Sequence, residues 1–171
     1  MDIFYKTSKL ILIVLVVSLT LAIVTDILFL FMYREEIRTD IYLAGNYVST
    51  IAQDPSVLST GTTKWGTPVY SNEDLLKQLR TYADASYGHR AKSTPTQVKS
   101  GNRIDLSYII DTGLLDEIIV TGEVIEQDGM KGMRITIMFL TEPRGKSFGF
   151  QDTPINIPRH KVHLTRVFRV I

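Results

Sequence analysis

Cysteine and an excess of charge of either sign are both missing from this sequence. The lack of cysteine excludes disulfide bonds, thiolate nucleophiles and cysteine-ligated zinc, so stability has to come from packing, hydrogen bonds or association. Lys and Arg number 19 against 18 Asp and Glu, which gives a formal net charge of +1. Because no basic surface is concentrated enough to follow a phosphate backbone, we expect no nucleic-acid partner.

The motifs of common enzyme active sites are also missing. The sequence has no nucleophile-elbow, zinc-protease, P-loop or dinucleotide-binding pattern. His160 and His163 would share one face of a helix, but their surroundings predict a loop that enters a strand, in which the two side chains point to opposite faces. We therefore expect a protein that is not an enzyme and that holds no cofactor or metal.

A long apolar run is the dominant feature that is present. Residues 10–33 contain one charged residue, and a helix of that length, at about 1.5 Å per residue, spans a hydrocarbon core of about 30 Å. The 171 residues of the chain leave room for one further domain with a modest core. These observations predict a short N-terminal tail over residues 1–9 and a single transmembrane helix over residues 10–33.

A cleaved signal peptide is the alternative interpretation of the same run. Lys6 and Lys9 would be its charged region, and Thr20 and Ala22 would supply a small-residue cleavage site. The apolar run resumes after Asp26, however, where a processed N-terminus would usually turn polar. A retained anchor accounts for both halves of the run.

Basic residues flank the run on both sides. Lys6 and Lys9 precede it, and Arg34 and Arg38 follow it. With the positive-inside rule as the guide, we predict a single-pass protein of the cell membrane whose N-terminus is inside and whose C-terminal domain is extracytoplasmic.

Asp26 lies within the apolar run. A carboxylate inside a membrane span costs about 2.5–3.5 kcal/mol on insertion scales and is normally paired, protonated or turned towards a protein interior. One interpretation is that Asp26 contacts a partner within the membrane. The other is that it lies in the outer third of the span and reaches the interface, with Thr25 sharing a hydrogen bond.

An apolar stripe continues beyond the membrane run. Its members are spaced by three or four residues, as on one face of a helix, and they are Leu30, Tyr33, Ile37, Ile41, Ala44, Val48 and Ile51. We predict an amphipathic helix, the stalk, over residues 34–53, with Glu36 and Asp40 on its wet face and Pro55 as the stop. The stripe could face its own domain, a second copy of the chain or another membrane protein.

The remaining residues, 54–171, predict an extramembrane α+β domain. A short helix is expected from Ser71 or Asn72 to about Ala85, because acidic residues follow its cap and leucines recur on one face. Runs of β-branched and aromatic residues predict an antiparallel sheet, with strands over residues 104–110, 117–126, 133–141 and 162–171. Glycine and proline predict loops over residues 54–71, 86–103 and 142–160.

The stretch DILFLFMYREEIRTDIYLAGNYVSTIA, residues 26–52, resembles the membrane-helix region of TadE-type pseudopilin-like proteins. It has an acidic residue within the apolar run, an aromatic pair, and then an amphipathic helix bearing small residues. The chain differs from that family in having no glycine before its span. The resemblance implies a non-catalytic subunit of an envelope-spanning pilus, secretion or DNA-transfer apparatus, in which Asp26 makes an intramembrane contact.

Two functions are therefore compatible with the sequence. In the first, the chain assembles through its anchor and stalk with other membrane or envelope proteins, with self-association among the options. In the second, it is a membrane-tethered, extracytoplasmic ligand-binding or sensor module, which a deep pocket lined by Trp65, Tyr70 or Tyr82 would favour. Both have the lipid bilayer as a partner.

Overall fold

The computed structural model describes residues 2–51, 71–110, 115–127, 130–141 and 160–170. Two α-helices are followed by a short 3₁₀ turn and five strands: α1 (Asp2–Ile51), α2 (Asn72–Tyr87), the turn (Gly88–Arg90), β1 (Thr96–Ser100), β2 (Arg103–Ile109), β3 (Leu115–Gln127), β4 (Met130–Thr141) and β5 (His160–Val170). The predicted α+β fold, a long N-terminal helix followed by a short helix and an antiparallel sheet, is confirmed.

The strands form one sheet in the order β1-β2-β3-β4-β5, each antiparallel to the next. Alternation along β4 sends Ile135, Ile137 and Phe139 to one face, where all three are buried. Both α-helices pack against the sheet, α1 on β4 and β5 and α2 on β2 and β3. The core thus lies between the helices and one face of the sheet.

Helix α2 forms because its first turn is capped and its inner face is apolar. The Ser71 hydroxyl accepts a hydrogen bond from the Asp74 amide at 3.0 Å, and acidic Glu73 and Asp74 suit the positive end of the helix. Its buried residues are Leu75, Leu76, Leu79, Ala83 and Tyr87. The helix extends to Tyr87, two residues beyond the predicted end, because that ring completes the inner face.

Strand β1 was not expected, since residues 86–103 were predicted to be a loop. The strand pairs with β2 from Thr96 opposite Ser107 to Ser100 opposite Arg103, and Gly101 makes the turn with a φ of +56°. All five β1 residues are exposed, so this edge strand lacks the apolar alternation by which a strand is recognised.

The gap of residues 127–132 between the second and third predicted strands is also shorter in the structure. Strand pairing continues to Gln127 opposite Met130, so the strands of this hairpin are longer than their apolar patterns indicate. Most of the other predicted loops, residues 54–70 and 142–159, lie outside the described residues.

Candidate functional site

The first half of α1 is an apolar helix that the rest of the chain leaves uncovered. No described side chain between residues 7 and 32 is buried, and residues 10–17 are exposed in succession, so apolar groups cover every side of the helix. Among the described residues, α1 alone is long and apolar enough to cross a membrane, a criterion of length and composition that a signal sequence also satisfies. So large an apolar surface fits a single membrane anchor, or packing against a partner.

The second half of α1 packs against the sheet of the same chain. The buried members of the stripe, each 1% exposed or less, are Ile37, Ile41, Ala44 and Val48. Tyr33 is half-buried, and its ring meets the ring of Phe139 edge to face at 5.9 Å between centroids. Leu30 is partly exposed, and the side chain of Ile51 lies outside the described residues. These four buried residues therefore pack against the domain of their own chain, which was one of the three possibilities for the stripe.

A glycine lets α1 approach the sheet closely. A Cβ atom at Gly45 would overlap the aromatic ring of Phe168 on β5. This contact explains why a residue that weakens a helix by about 1 kcal/mol stands in the middle of a buried face.

Polar groups also join α1 to the short helix. The Tyr87 hydroxyl donates to the Asp40 carboxylate at 2.6 Å, and the Tyr82 hydroxyl donates to the Asp40 carbonyl at 3.2 Å. Arg90 pairs with Glu36 at 2.7 Å between nitrogen and oxygen. We call these five residues the tyrosine–aspartate cluster. The prediction that Glu36 and Asp40 belong to a wet face is wrong, because both are partly buried against groups from distant parts of the chain.

Burial controls protonation in this cluster. It raises the pKa of the Asp40 carboxyl, and this effect outweighs the hydrogen bond from Tyr87, which lowers the pKa. Burial, together with the hydrogen bond to Asp40 and its charge, also raises the pKa of Tyr87. The phenol therefore stays protonated and remains a donor throughout the neutral range.

A cleft lies where the two halves of α1 meet. It has a volume of about 340 Å³ between α1 and the start of β5, and its lining residues are Ile27, Leu30, Phe31, Arg34, Lys161 and Val162. We call it the junction cleft. No sequence pattern pointed to it, because α1 and β5 are more than a hundred positions apart in the chain.

The other predicted site residues are not brought together. Asp26 lies in the exposed half of α1 and is partly exposed, while the Thr25 hydroxyl donates to the Leu21 carbonyl at 2.7 Å. The Tyr82 ring packs against Tyr47 at 5.7 Å between centroids. Trp65 and Tyr70, the other residues of the hypothetical ligand pocket, lie outside the described residues.

Histidine and acidic side chains do not form a metal site within the described part of the chain. No group of three or more His, Asp or Glu residues is close enough there to hold an ion. Both His160 and His163 belong to β5, where they pair with Thr141 and Met138 respectively.

Comparison with protein families, with curated proteins and with solved structures gave no match for this chain. What it has in common with the plan of pseudopilin-like proteins is a long apolar N-terminal helix followed by a small antiparallel-sheet domain.

Proposed function

We propose that this chain is a non-catalytic, single-pass subunit of an envelope-spanning apparatus, such as a pilus, secretion or DNA-transfer machine. Its N-terminus lies on the cytoplasmic side of the cell membrane, and its sheet domain is extracytoplasmic. The observation that supports this proposal best is the division of α1 into an uncovered apolar half and a half that is packed on the sheet.

The division favours the membrane half of α1 as the surface for assembly. The stripe residues from Ile37 to Val48 are already occupied by the chain's own core, so they offer no surface to a second protein. Residues 7–21 are exposed on every side of the helix, and Asp26 is the acidic residue among the apolar side chains that follow. A carboxylate in hydrocarbon is stabilised when a neighbouring helix supplies a donor or a cation.

Replacement of Asp26 tests the proposal. Membranes would be crosslinked in intact cells and solubilised in detergent, and the proteins that co-purify with the chain would be quantified. A polar contact between membrane helices contributes about 0.6–2 kcal/mol, so Asp26→Leu should lower the recovery of partners by about 3- to 30-fold. Asp26→Asn keeps a hydrogen-bonding group and should give an intermediate recovery.

Ser18→Leu is the matched control, because it also replaces a polar residue of the apolar half by leucine. It should leave recovery unchanged. If Asp26→Leu had as little effect as Ser18→Leu, the intramembrane contact would be refuted.

A further inference from the structure

The junction cleft combines an apolar lining with two positive charges. Ile27, Leu30, Phe31 and Val162 supply the apolar surface, and Arg34 and Lys161 supply the charges. No carboxylate is among the lining residues. A volume of about 340 Å³ is at the lower end of the range for small-molecule sites, which suits part of a ligand rather than a whole large one.

Neither cation of the cleft is neutralised by the part of the chain that the structure describes. The side chains of Arg34 and Lys161 form no ion pair or hydrogen bond with another described residue. Neighbouring cations behave differently, since Arg38 pairs with Glu35 at 3.6 Å and Arg90 pairs with Glu36 at 2.7 Å. Among the described residues, the cleft therefore presents positive charge without a compensating carboxylate.

The position of the cleft along α1 matches the membrane surface. Arg34 directly follows the apolar run, whereas Ile27 lies about 10 Å deeper along the helix at 1.5 Å per residue. Strand β5 brings Lys161 to the level of Arg34 from another part of the chain. The two charges thus lie at the depth of lipid phosphates, and the apolar lining lies at the depth of the first acyl carbons.

We propose that the junction cleft binds one anionic phospholipid, with its phosphate between Arg34 and Lys161 and the upper part of an acyl chain against Ile27 and Phe31. The proposal rests on the membrane anchoring of the proposed function. A phospholipid fits because its phosphate would lie beside the two cations while its acyl chain lies against the apolar lining deeper along α1. Free phosphate would leave the apolar lining unused, and zwitterionic phosphatidylcholine would bring a quaternary ammonium towards two cations.

The test uses the full-length chain, purified in a nonionic detergent and delipidated. Native mass spectrometry would measure the binding of dioctanoyl phosphatidylglycerol and of dioctanoyl phosphatidylcholine, with inorganic phosphate as a competitor. One molecule of phosphatidylglycerol should bind, at least tenfold more tightly than phosphatidylcholine, and equimolar phosphate should not displace it. Each cation near an anionic lipid contributes about a fivefold effect, so Arg34→Gln and Lys161→Gln should each weaken binding by about that factor.

Arg38→Gln and Arg169→Gln are matched controls, because each removes the same charge from the same element outside the cleft. Both should change the affinity by less than twofold. An equal loss in all four variants would mean general attraction to charge, and equal affinity for the two lipids would mean no headgroup recognition. Displacement by phosphate would mean a small-anion site, and any of these three results would overturn the proposal.

Two further measurements keep this proposal separate from the anchoring on which it rests. Thermal unfolding should be the same for Arg34→Gln, Lys161→Gln and the wild type, which shows that weaker binding is not a loss of fold. Alkaline carbonate should leave all of these variants in the membrane. Loss of lipid selectivity with anchoring intact would refute the cleft alone, whereas extraction of the wild-type chain would refute the proposed function.

Discussion

Asp40 joins two parts of the chain through both its side chain and its backbone. Its carboxylate and its carbonyl each accept a hydrogen bond from a tyrosine of α2. Sequence reasoning placed Asp40 on a wet face because it lies between members of the apolar stripe, and the two tyrosines lie 42 and 47 positions away. A local pattern carries no information about partners at that distance, so the tyrosine–aspartate cluster could not be predicted.

Asp40→Asn should change how stability depends on pH. Because the pKa of Asp40 is raised, the folded state binds its proton more tightly than the unfolded chain does, and the free energy of unfolding falls as pH rises from about 3.8 through the raised pKa. Asparagine does not titrate, and it keeps an oxygen that accepts from Tyr87. The stability of the variant relative to wild type should therefore rise across this interval and then level off, as measured by thermal unfolding in detergent.

Asp105→Asn is the control of opposite sign. Partial burial acts to raise the pKa of Asp105, but hydrogen bonds from Arg103 and Thr121 leave it lowered. Its stabilising contribution is present above the unfolded pKa and is lost as pH falls through the lowered value. The relative stability of this variant should fall as pH rises, and parallel curves for the two variants would contradict the assignment for Asp40.

Gly45→Ala should destabilise the domain although alanine is the better helix former. The added Cβ would overlap the Phe168 ring, and overpacking of this kind costs about 1–3 kcal/mol. Gly88→Ala is the control, since a Cβ at that position meets nothing within 4 Å. Combining Gly45→Ala with Phe168→Leu should restore part of the loss in thermal unfolding. Equal melting temperatures for the two alanine variants would show that the close contact does not limit packing.

Helix α1 shows what periodicity can and cannot reveal at the scale of elements. Spacing by three and four residues identified the buried face of the stalk, and a run of β-branched and aromatic residues identified strand β4. The same spacing could not state what covers the stripe, because an apolar face is alike whether its own sheet or another protein lies against it. Strand β1 was missed for the opposite reason, since it is held by pairing with β2 and buries no side chain.

Ile41→Ala should weaken the attachment of the stalk to the sheet without affecting membrane insertion. Ile41 is fully buried, and truncation of such a side chain costs about 2–5 kcal/mol. Leu43→Ala is the control, because Leu43 is 51% exposed on the same helix and should cost about 0.5 kcal/mol or less. Thermal unfolding measures the first effect, and carbonate extraction measures insertion. Equal losses of stability would mean that the stripe is not buried in the folded chain.

At the scale of the whole molecule, α1 contributes both the predicted membrane span and the helix packed on the sheet. The lack of cysteine is an experimental advantage, because a cysteine introduced by mutation is the single one in the chain. Ser8 and Gln97 are both exposed and lie on opposite sides of the predicted membrane span. Cysteines introduced at these two positions can therefore report the orientation of the chain independently of each other.

In intact cells, a membrane-impermeant maleimide should label Gln97→Cys, whereas Ser8→Cys should react only after lysis. The physical reason is that the predicted span places residue 8 inside the cell and the sheet outside it. The reverse pattern would invert the orientation. Failure to label Ser8→Cys even after lysis, together with a shortened mature chain, would identify a removed signal peptide.

The continuity of α1 would couple the sheet to the bilayer in the membrane-anchored protein that we propose. Ile37, the first buried residue of the stripe, comes three residues after Arg34, so the sheet begins within about 5 Å of the lipid headgroups. A change of about 20° in helix inclination, which membranes of different thickness can impose, would carry the far end of the packed segment sideways by about 7 Å. Under the proposed function, bilayer thickness would therefore set the position of the sheet domain, and neighbouring subunits would experience a change of thickness as a change in spacing.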